Sequence, residues 1–190
     1  MTDYIEGDGI VLQPPKTDLK YAREKLDLLR RNDFVYPHRF SLRSMKSPDD
    51  VLKMAMAQIE KIKAGTDLFY DIYRAGKIIG EIYNKDSGQN IGYFVDKAAR
   101  GNGVATEAIR LICEKLFKDG AKQLTAFTHY FDQDIKLING DIYPAGTVNQ
   151  FSERAILKNN FSFIGEKKDP AIHDPFSGLT PILRVFQKSL

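Results

Sequence analysis

The composition leaves little room for disulfide or metal chemistry. The 190 residues include one cysteine, Cys113, so no internal disulfide can form, and the three histidines are too far apart in sequence for a zinc-ligand pattern. Cys113 lies among Leu111, Ile112 and Leu116 in a segment with helical spacing, which predicts a buried core thiol rather than a reactive one. We therefore expect no metal and a reducing compartment, the cytoplasm.

Long apolar runs and strong charge are also missing. No uninterrupted apolar run could cross a bilayer, and the first residues, MTDYIEGDGIV, lack a secretory pattern, so no membrane association is expected. The net charge of +3 is mild, which argues against a nucleic-acid partner. Apolar residues make up 43% and charged residues 28% of the chain, an ordinary balance for a soluble domain. Residues 1–190 are predicted to form a single domain with a core of its own.

Hydrophobic periodicity predicts one mixed α/β sheet flanked by helices. Runs of strand-like residues bounded by turn signals alternate irregularly with segments of helical spacing, and no internal repeat or linker interrupts them. Strands are expected at about 9–12, 67–76, 77–84, 89–95, 122–130, 161–168 and 179–188, and helices at about 17–30, 47–65, 104–118 and 150–158.

The stretch YFVDKAARGNGVATEAIRLICEKLF, residues 93–117, carries the first chemical signal. A strand ends at Val95, a charged loop follows, and Gly101 and Gly103 precede a patterned helix. A helix start presents unpaired N–H groups and the positive end of the helix dipole, glycines let a phosphate approach the backbone, and Arg100 adds a cation. A tight turn that needs glycine only for its dihedral angles is the alternative interpretation.

Two well-known phosphate loops fit this segment poorly. A Walker loop requires Gly-Lys-Ser/Thr, but Val104 and Ala105 follow the second glycine. A dinucleotide fingerprint would begin directly after the strand and place a small residue at position 106, where this chain has a DKAAR spacer and Thr106.

A different pattern, Arg-x-x-Gly-x-Ala at Arg100, Gly103 and Ala105, resembles the pyrophosphate loop of the GNAT superfamily of N-acetyltransferases. A second match lies downstream in VNQFSERAILKNNF, whose family pattern is Asn-x-x-Ser/Ala followed by Lys-x-Gly-Phe. The residues at these offsets are Asn149, Ser152, Lys158 and Phe161, with Asn160 in the place of glycine. Asparagine is the next-best residue for a left-handed helix end, so this departure is mild.

The resemblance covers about 68–188 and implies a GNAT fold, an α/β (α+β) domain. That fold has a mixed sheet of about seven strands, splayed between the fourth and fifth, with about four helices. It implies acetyl-CoA as co-substrate and direct attack of an amine on the thioester in a ternary complex. The backbone near Val95 would stabilise the developing oxyanion. The residues expected to hold the coenzyme are Phe94, Val95, Arg100, Gly101, Asn102, Gly103, Val104, Ala105, Asn149 and Lys158.

The acid and base are less clearly marked. Many relatives carry a proton-donating tyrosine seven residues after the helix asparagine, where this chain has Ile156. That change resembles the branch of ribosomal-protein serine and alanine N-terminal acetyltransferases, in which the helix serine can donate the proton, so Ser152 is the predicted acid. The usual position of the base on the fourth strand reads Gln89–Asn90, and neither amide accepts a proton at neutral pH. The base stays open among Glu81, which is the first candidate, Asp132 and His129; a solvated carboxylate or a structural histidine is the alternative interpretation of each.

Between the fifth strand and the helix asparagine the chain inserts YFDQDIKLINGDIYPAGT. Asn139–Gly140 within it is a two-residue hairpin signature, so a β-hairpin is predicted at about 134–143. It could shape the amine pocket, contact a second copy in a homodimer, or only decorate the surface. The aromatic and basic loop at 34–46 could likewise select the acceptor or be a solvated loop.

The function this predicts is acetyl transfer to a primary amine, on a protein N-terminus or a small molecule. The alternative is a domain that binds coenzyme A without catalysis, as a sensor or scaffold, because the usual base and tyrosine positions are changed.

Overall fold

The computed structural model describes residues 4–32, 46–85, 90–136, 142–168 and 180–190. Across these residues one sheet has eight strands: β1 (Ile5–Gly7), β2 (Ile10–Gln13), β3 (Leu68–Arg74), β4 (Lys77–Lys85), β5 (Asn90–Val95), β6 (Gln123–Tyr130), β9 (Ser162–Lys168) and β10 (Ile182–Ser189). Their order in the sheet is β1-β2-β3-β4-β5-β6-β10-β9. Neighbouring strands are antiparallel except β5 and β6, which are parallel. A separate short hairpin pairs β7 (Ile135–Lys136) with β8 (Ile142–Tyr143).

The described residues form four α-helices: α1 (Leu19–Arg31), α2 (Pro48–Lys63), α3 (Val104–Lys118) and α4 (Gln150–Leu157). The caps explain most of these boundaries. Asp18 accepts a hydrogen bond from the Tyr21 N–H at the start of α1, and Ser47 with Asp50 forms a reciprocal capping box at the start of α2. The helix α3 differs, because its N-cap is a glycine and no side chain caps it.

The helices cover opposite faces of the sheet and define two cores. On one face, α1 and α2 pack on Tyr73, Ile78 and Phe94. On the other face, α3 and α4 pack on residues that include Ile82, Ile91 and the first half of β6. Because side chains alternate along a strand, β5 presents Phe94 to the α1 face and its neighbours Tyr93 and Val95 to the α3 and α4 face.

The predicted mixed α/β fold is confirmed, and each predicted strand and helix forms within a few residues of its expected bounds. The described arms of the inserted hairpin also pair as predicted, although its Asn139–Gly140 turn lies outside the described residues. Asn160 has φ of 61°, the left-handed helix end expected of a residue standing in for glycine. All of the 34–46 loop except Lys46 is outside the described residues.

One strand was not predicted. β1 pairs with β2 through an Asp8–Gly9 turn in which Gly9 has φ of 66°. Asp-Gly is itself a hairpin signal, but only three residues precede it in the strand and their alternation is too short to detect. A Cβ on Gly7 would lie 2.4 Å from the Glu107 carboxylate of α3, so a side chain there would require Glu107 to shift.

None of the helices in the described ranges is long and apolar enough to span a membrane. The same ranges contain no group of His, Cys, Asp and Glu side chains that could hold a metal ion. Cys113 is buried on the core-facing side of α3, as predicted, and burial raises the pKa of its thiol to about 12.

Candidate active site

The parallel strands β5 and β6 separate after a short paired stretch. Asn90 pairs with Thr125 and Ile91 with Ala126, and the two strands do not pair beyond this point within the described residues. On its other side β5 stays paired to β4 as far as Val95, opposite Gly80. The sheet is therefore splayed between these strands, as the resemblance implies, and a cleft opens beside Gly92 to Val95.

A close approach of β4 holds the last residues of β5 in place. A Cβ on Gly80 would lie 2.4 Å from the Phe94 carbonyl oxygen and 3.2 Å from the Val95 Cα. A side chain here would push the end of β5 into the cleft, so glycine is required for packing rather than for dihedral freedom.

The glycine loop follows β5 through a short 3-10 turn, Lys97–Ala99. Gly101 has φ of 78° and Gly103 has φ of 75°, backbone conformations that glycine adopts readily and residues with a side chain adopt much less often. A Cβ at either position would have no heavy atom within 4 Å other than those of the glycine and its immediate chain neighbours. Both glycines therefore have dihedral angles that favour glycine and also leave the backbone open to a ligand. The loop can be a tight turn and a phosphate-binding loop at the same time.

The start of α3 has the properties of an anion site. Gly103 is its N-cap and provides no side-chain acceptor for the first N–H groups of the helix. These groups point out of the helix end with the positive pole of the dipole, next to the mouth of the splay.

Backbone and arginine contacts fix the shape of this loop. Arg100 is exposed, and its Nε donates to the Val95 carbonyl at 3.1 Å, which folds the side chain back toward the end of β5. Asn102 donates through Nδ2 to the Arg100 carbonyl at 3.2 Å, and Arg74, at the end of β3, donates to the Asn102 carbonyl at 3.4 Å. The predicted cation is therefore present at the loop, held by its own strand.

A second set of contacts ties the loop to α1. Asp96 accepts from Arg31 Nε at 2.7 Å, from Asn32 Nδ2 at 3.2 Å and from the Ala98 N–H at 3.3 Å. The fully buried Asn32 in turn accepts from the Lys97 N–H at 3.0 Å. Burial alone would raise the pKa of Asp96, but the three hydrogen bonds outweigh it and the pKa is lowered. We call these residues, Arg31, Asn32 and Asp96, the α1 latch.

The first turn of α4 reaches the cleft from the other face of the sheet. Asn149 caps the helix by accepting from the Ser152 N–H at 3.0 Å. The Ser152 hydroxyl lies 2.6 Å from the hydroxyl of Tyr93 on β5, and the Tyr93 hydroxyl also donates to the Ser152 carbonyl at 3.0 Å. Ser152 is half-buried, so its hydroxyl is held by β5 without being sealed from the cleft.

The next residue of α4 contacts the other diverging strand. Glu153 accepts from the buried Thr128 hydroxyl of β6 at 2.9 Å and from Arg184 Nε of β10 at 2.6 Å. Adjacent residues of one helical turn thus bind the two strands that separate, Ser152 to β5 and Glu153 to β6.

The far end of α4 is bound to the start of α3. The buried Asn159 donates through Nδ2 to the Thr106 carbonyl and to the Ala155 carbonyl, both at 2.9 Å. This links the proposed anion site to the helix that carries Ser152. Lys158 is the exposed C-cap of α4.

The predicted base Glu81 faces α1 instead. It is 8% exposed, and its carboxylate accepts from Lys25 Nζ at 2.9 Å, while Lys25 also pairs with Asp71. Burial would lower the pKa of Lys25, but the two carboxylates outweigh it and the pKa is raised; burial raises the pKa of Asp71. The base role of Glu81 stays a prediction, and the buried ion pair gives this carboxylate a structural role. We call Lys25, Asp71 and Glu81 the buried triad.

The alternative bases lie nearer solvent. His129 is half-buried on β6, and because Thr128 faces α4, alternation places His129 on the α1 face. Thr125 of β6 pairs with Asn90 of β5. His129 lies four residues after Thr125, and Phe94 lies four residues after Asn90. Asp132 is exposed and pairs with Lys168 at 2.7 Å.

The glycine loop and the helix serine were predicted from the sequence and lie at the splay, whereas Tyr93 and the α1 latch were not predicted. In the sequence Tyr93 resembles an ordinary apolar strand residue, and only its packing on α4 reveals the hydrogen bonds of its hydroxyl. The latch joins residues more than sixty positions apart, which no local spacing can indicate. Ile156, at the position of the family tyrosine, is fully buried.

Comparison with known proteins agrees with this geometry. A model of the acetyltransferase (GNAT) domain family matches residues 10–134. No curated protein matches the chain significantly.

Solved structures share the fold at low sequence identity. The microcin C7 self-immunity acetyltransferase MccE, solved with acetyl-CoA and AMP, has a TM-score of 0.76 at 18% identity, over 97% of this chain and 94% of that one. The ribosomal L7/L12 alpha-N-protein acetyltransferase RimL, solved with coenzyme A, has a TM-score of 0.76 at 13% identity, over 99% and 98%. The ribosomal-protein-S5-alanine acetyltransferase from Vibrio fischeri has a TM-score of 0.73 at 15% identity, over 98% and 96%.

The splayed sheet, the glycine loop and the family match define an acetyl-CoA-dependent acyltransferase. The chain belongs to the GNAT family of acetyltransferases, and acetyl-CoA is its co-substrate.

Proposed function

We propose that this protein transfers the acetyl group of acetyl-CoA to a primary amine by direct attack in a ternary complex. One observation carries the proposal: the cleft between β5 and β6 opens beside the uncapped start of α3. A long thioester with a diphosphate at one end fits a site with an unpaired strand edge next to an anion-binding helix end.

The chain's own residues would divide the work of binding. The backbone of Phe94 and Val95 would pair with the amide-containing arm of the coenzyme, and Arg100 to Ala105 would hold its diphosphate. Gly80 and the α1 latch support this, because both fix the segment between β5 and the loop. Acetyl-CoA supplies the activated thioester that the amine attacks.

For the acid we propose Ser152. Its hydroxyl lies 2.6 Å from the Tyr93 hydroxyl of β5, beside the splay, and the residue is only half-buried. It would give its proton to the departing thiolate. A proton donor placed in this way contributes roughly 10²–10⁴-fold to the rate. Its hydrogen bond to β5 distinguishes it from a serine that only caps a helix, since the capping acceptor here is Asn149.

For the base we propose His129, with Glu81 as the alternative. Histidine can accept a proton at neutral pH, and His129 is half-buried on the face opposite Ser152, so acid and base would approach the reacting centre from opposite sides. Glu81 would have to give up the Lys25 contact, which is buried, before it could take a proton.

The acceptor we propose is a protein N-terminus or a small-molecule amine. RimL and the S5-alanine enzyme act on ribosomal proteins, which favours the first, whereas MccE is an immunity enzyme. The β7–β8 hairpin begins shortly after β6 ends, and we propose that it borders the amine pocket. Deleting residues 134–143 should change which amines are acetylated and leave coenzyme affinity unchanged; unchanged selectivity would make the hairpin a surface decoration.

The decisive experiment is intact-mass detection of acetylated products from a library of peptides with free N-termini and of polyamines. We expect one acetyl group, 42 Da, on a subset of the library, with equimolar thiol release. Coenzyme binding without any acetylated product would instead support a sensor or scaffold. The same assay with Ser152→Ala should lower kcat by about 10²-fold at similar KM for acetyl-CoA.

A further inference from the structure

The Tyr93 hydroxyl has two acceptors on a single residue. It lies 3.0 Å from the Ser152 carbonyl oxygen and 2.6 Å from the Ser152 hydroxyl oxygen. A phenol has one proton, so the two contacts represent two arrangements. In one, Tyr93 donates to the carbonyl and the serine proton points at Tyr93. In the other, Tyr93 donates to the serine oxygen and the serine proton is directed elsewhere.

These arrangements differ in what Ser152 can do. When the serine donates to Tyr93, its proton is engaged and unavailable to a leaving group. When Tyr93 donates to the serine oxygen, the serine proton can point into the cleft. Rotation of the two hydroxyl hydrogens, that of Tyr93 and that of Ser152, exchanges the arrangements with no movement of heavy atoms.

We propose that Tyr93 is a positioning residue for Ser152, and that its phenol replaces the proton which the serine gives to the departing thiolate. The inference rests on the proposed role of Ser152. It explains how a serine can act as an acid at all, since an isolated serine would be left as an unfavourable alkoxide.

The thiolate sulfur, which keeps the electron pair of the broken C–S bond, takes the Ser152 proton as the serine O–H bond breaks. At the same time the Tyr93 O–H bond breaks and its proton passes to the Ser152 oxygen. The charge then rests on the Tyr93 phenolate, which takes a proton from solvent because the residue is only half-buried. A phenol has an ordinary pKa of about 10 and a thiol one of about 8.5, so the two are close enough for such an exchange.

The ring of Tyr93 is well placed to keep this geometry. Tyr93 pairs with Ile82 of β4, and the Tyr93 ring packs on the core beneath α3 and α4. An aromatic side chain has only two torsion angles to fix, so little freedom is lost on holding the hydroxyl.

The test is a cycle of four proteins: wild type, Tyr93→Phe, Ser152→Ala and the double variant. We expect Tyr93→Phe to lower kcat about 10-fold with KM for acetyl-CoA within 2-fold. The double variant should be no slower than Ser152→Ala, because Tyr93 acts only through the serine. Tyr130→Phe is the matched control: Tyr130 also gives its hydroxyl to a side chain, Glu166 at 2.9 Å, but not to Ser152, and its kcat should be unchanged.

A second measurement separates proton supply from packing. Replacing Tyr93 by 3-fluorotyrosine, which keeps the shape and lowers the phenol pKa, should move the alkaline limb of the kcat–pH profile to lower pH. A hydrogen bond with only a structural role would leave that limb in place.

Each outcome has a distinct meaning. If Ser152→Ala keeps full activity, the proposed acid is wrong and this inference falls with it. If Ser152→Ala is slow but Tyr93→Phe is as fast as wild type, or their effects multiply, the inference alone is overturned and the acid survives. An unmoved alkaline limb would leave Tyr93 without a part in proton supply, which also overturns it.

Discussion

The two faces of the sheet around β5 hold polar groups of opposite character. On the α1 face, Lys25, Asp71 and Glu81 form a triad sealed from solvent. On the α4 face, Tyr93 and Ser152 share a hydrogen bond at a half-exposed position beside the splay. Charged groups in the first cluster can stabilise the fold only as long as they stay paired, whereas hydroxyls in the second can exchange protons with a bound molecule and with water. We infer that the α1 side supports the proposed coenzyme loop and that the α4 side supplies the proposed acid.

The largest expected effect comes from breaking the buried triad. Lys25→Met should lower the free energy of unfolding by about 3–5 kcal/mol, because two buried carboxylates lose their only cation in the triad. Denaturant unfolding measures this. Lys115→Met is the control. The ion pair of Lys115 with Asp119, 2.8 Å long, is partly exposed, and its loss should lower the free energy of unfolding by less than about 0.5 kcal/mol. Equal losses in the two variants would contradict a sealed triad.

Glu81→Gln tests the comparison directly. An amide still accepts from Lys25, so we expect a loss of about 1–3 kcal/mol in the free energy of unfolding. A kcat that falls far more than this stability loss explains, by roughly 10²–10⁴-fold with an altered pH profile, would make Glu81 the base and place chemistry on the sealed face. Because we propose His129 as the base, His129→Asn measured in the same assay should show the large loss of kcat that Glu81→Gln lacks.

Gly103→Ala should lower the free energy of unfolding by about 1–2 kcal/mol, because an alanine with φ of 75° is strained. No steric clash should add to this loss, since the space around position 103 is open. The methyl group would also stand where the coenzyme diphosphate is expected, so KM for acetyl-CoA should rise. Gly65→Ala, with φ of 70° after α2 and equally open space, carries the same strain at a distance. Steady-state kinetics on both variants separates the two effects: a KM that rises equally in both would remove the diphosphate site.

The smallest effect is expected at the α1 latch, and it depends on pH. The pKa of Asp96 is lowered in the folded protein, so the stability it contributes is present above its ordinary value of 3.8 and is lost as pH falls through the lowered one. Asp96→Asn should therefore cost about 1 kcal/mol at pH 7. The difference from wild type should shrink as the pH falls below 3.8 and on through the lowered pKa of the folded protein, where the wild-type carboxyl is protonated as well. A difference independent of pH would mean that the charge of Asp96 does not matter.

Local patterns were sufficient for most of the fold. Alternation and helical spacing predicted the strands and helices, and the Asn160 helix end followed from the tolerance of asparagine for positive φ. The splay itself came from the resemblance, not from periodicity, because a strand that pairs for two residues reads the same as one that pairs throughout.

The candidate site divides in the same way. The glycine loop and Ser152 lie in short contiguous motifs and could be found from one sequence. Whether Glu81 reaches a cleft or a buried lysine depends on which face of β4 it occupies, and the position of Tyr93 against α4 depends on packing between elements far apart in the chain. Such relations are decided by tertiary structure alone.

Isothermal titration with coenzyme A tests the central claim most directly, because it asks only whether the bend between Arg100 and Ala105 holds the diphosphate. We predict saturable binding of one molecule per chain, weakened in Gly103→Ala and unchanged in Gly65→Ala. Folded protein that releases no heat of binding with either coenzyme A or acetyl-CoA, and shows no shift in thermal midpoint with them, would contradict it.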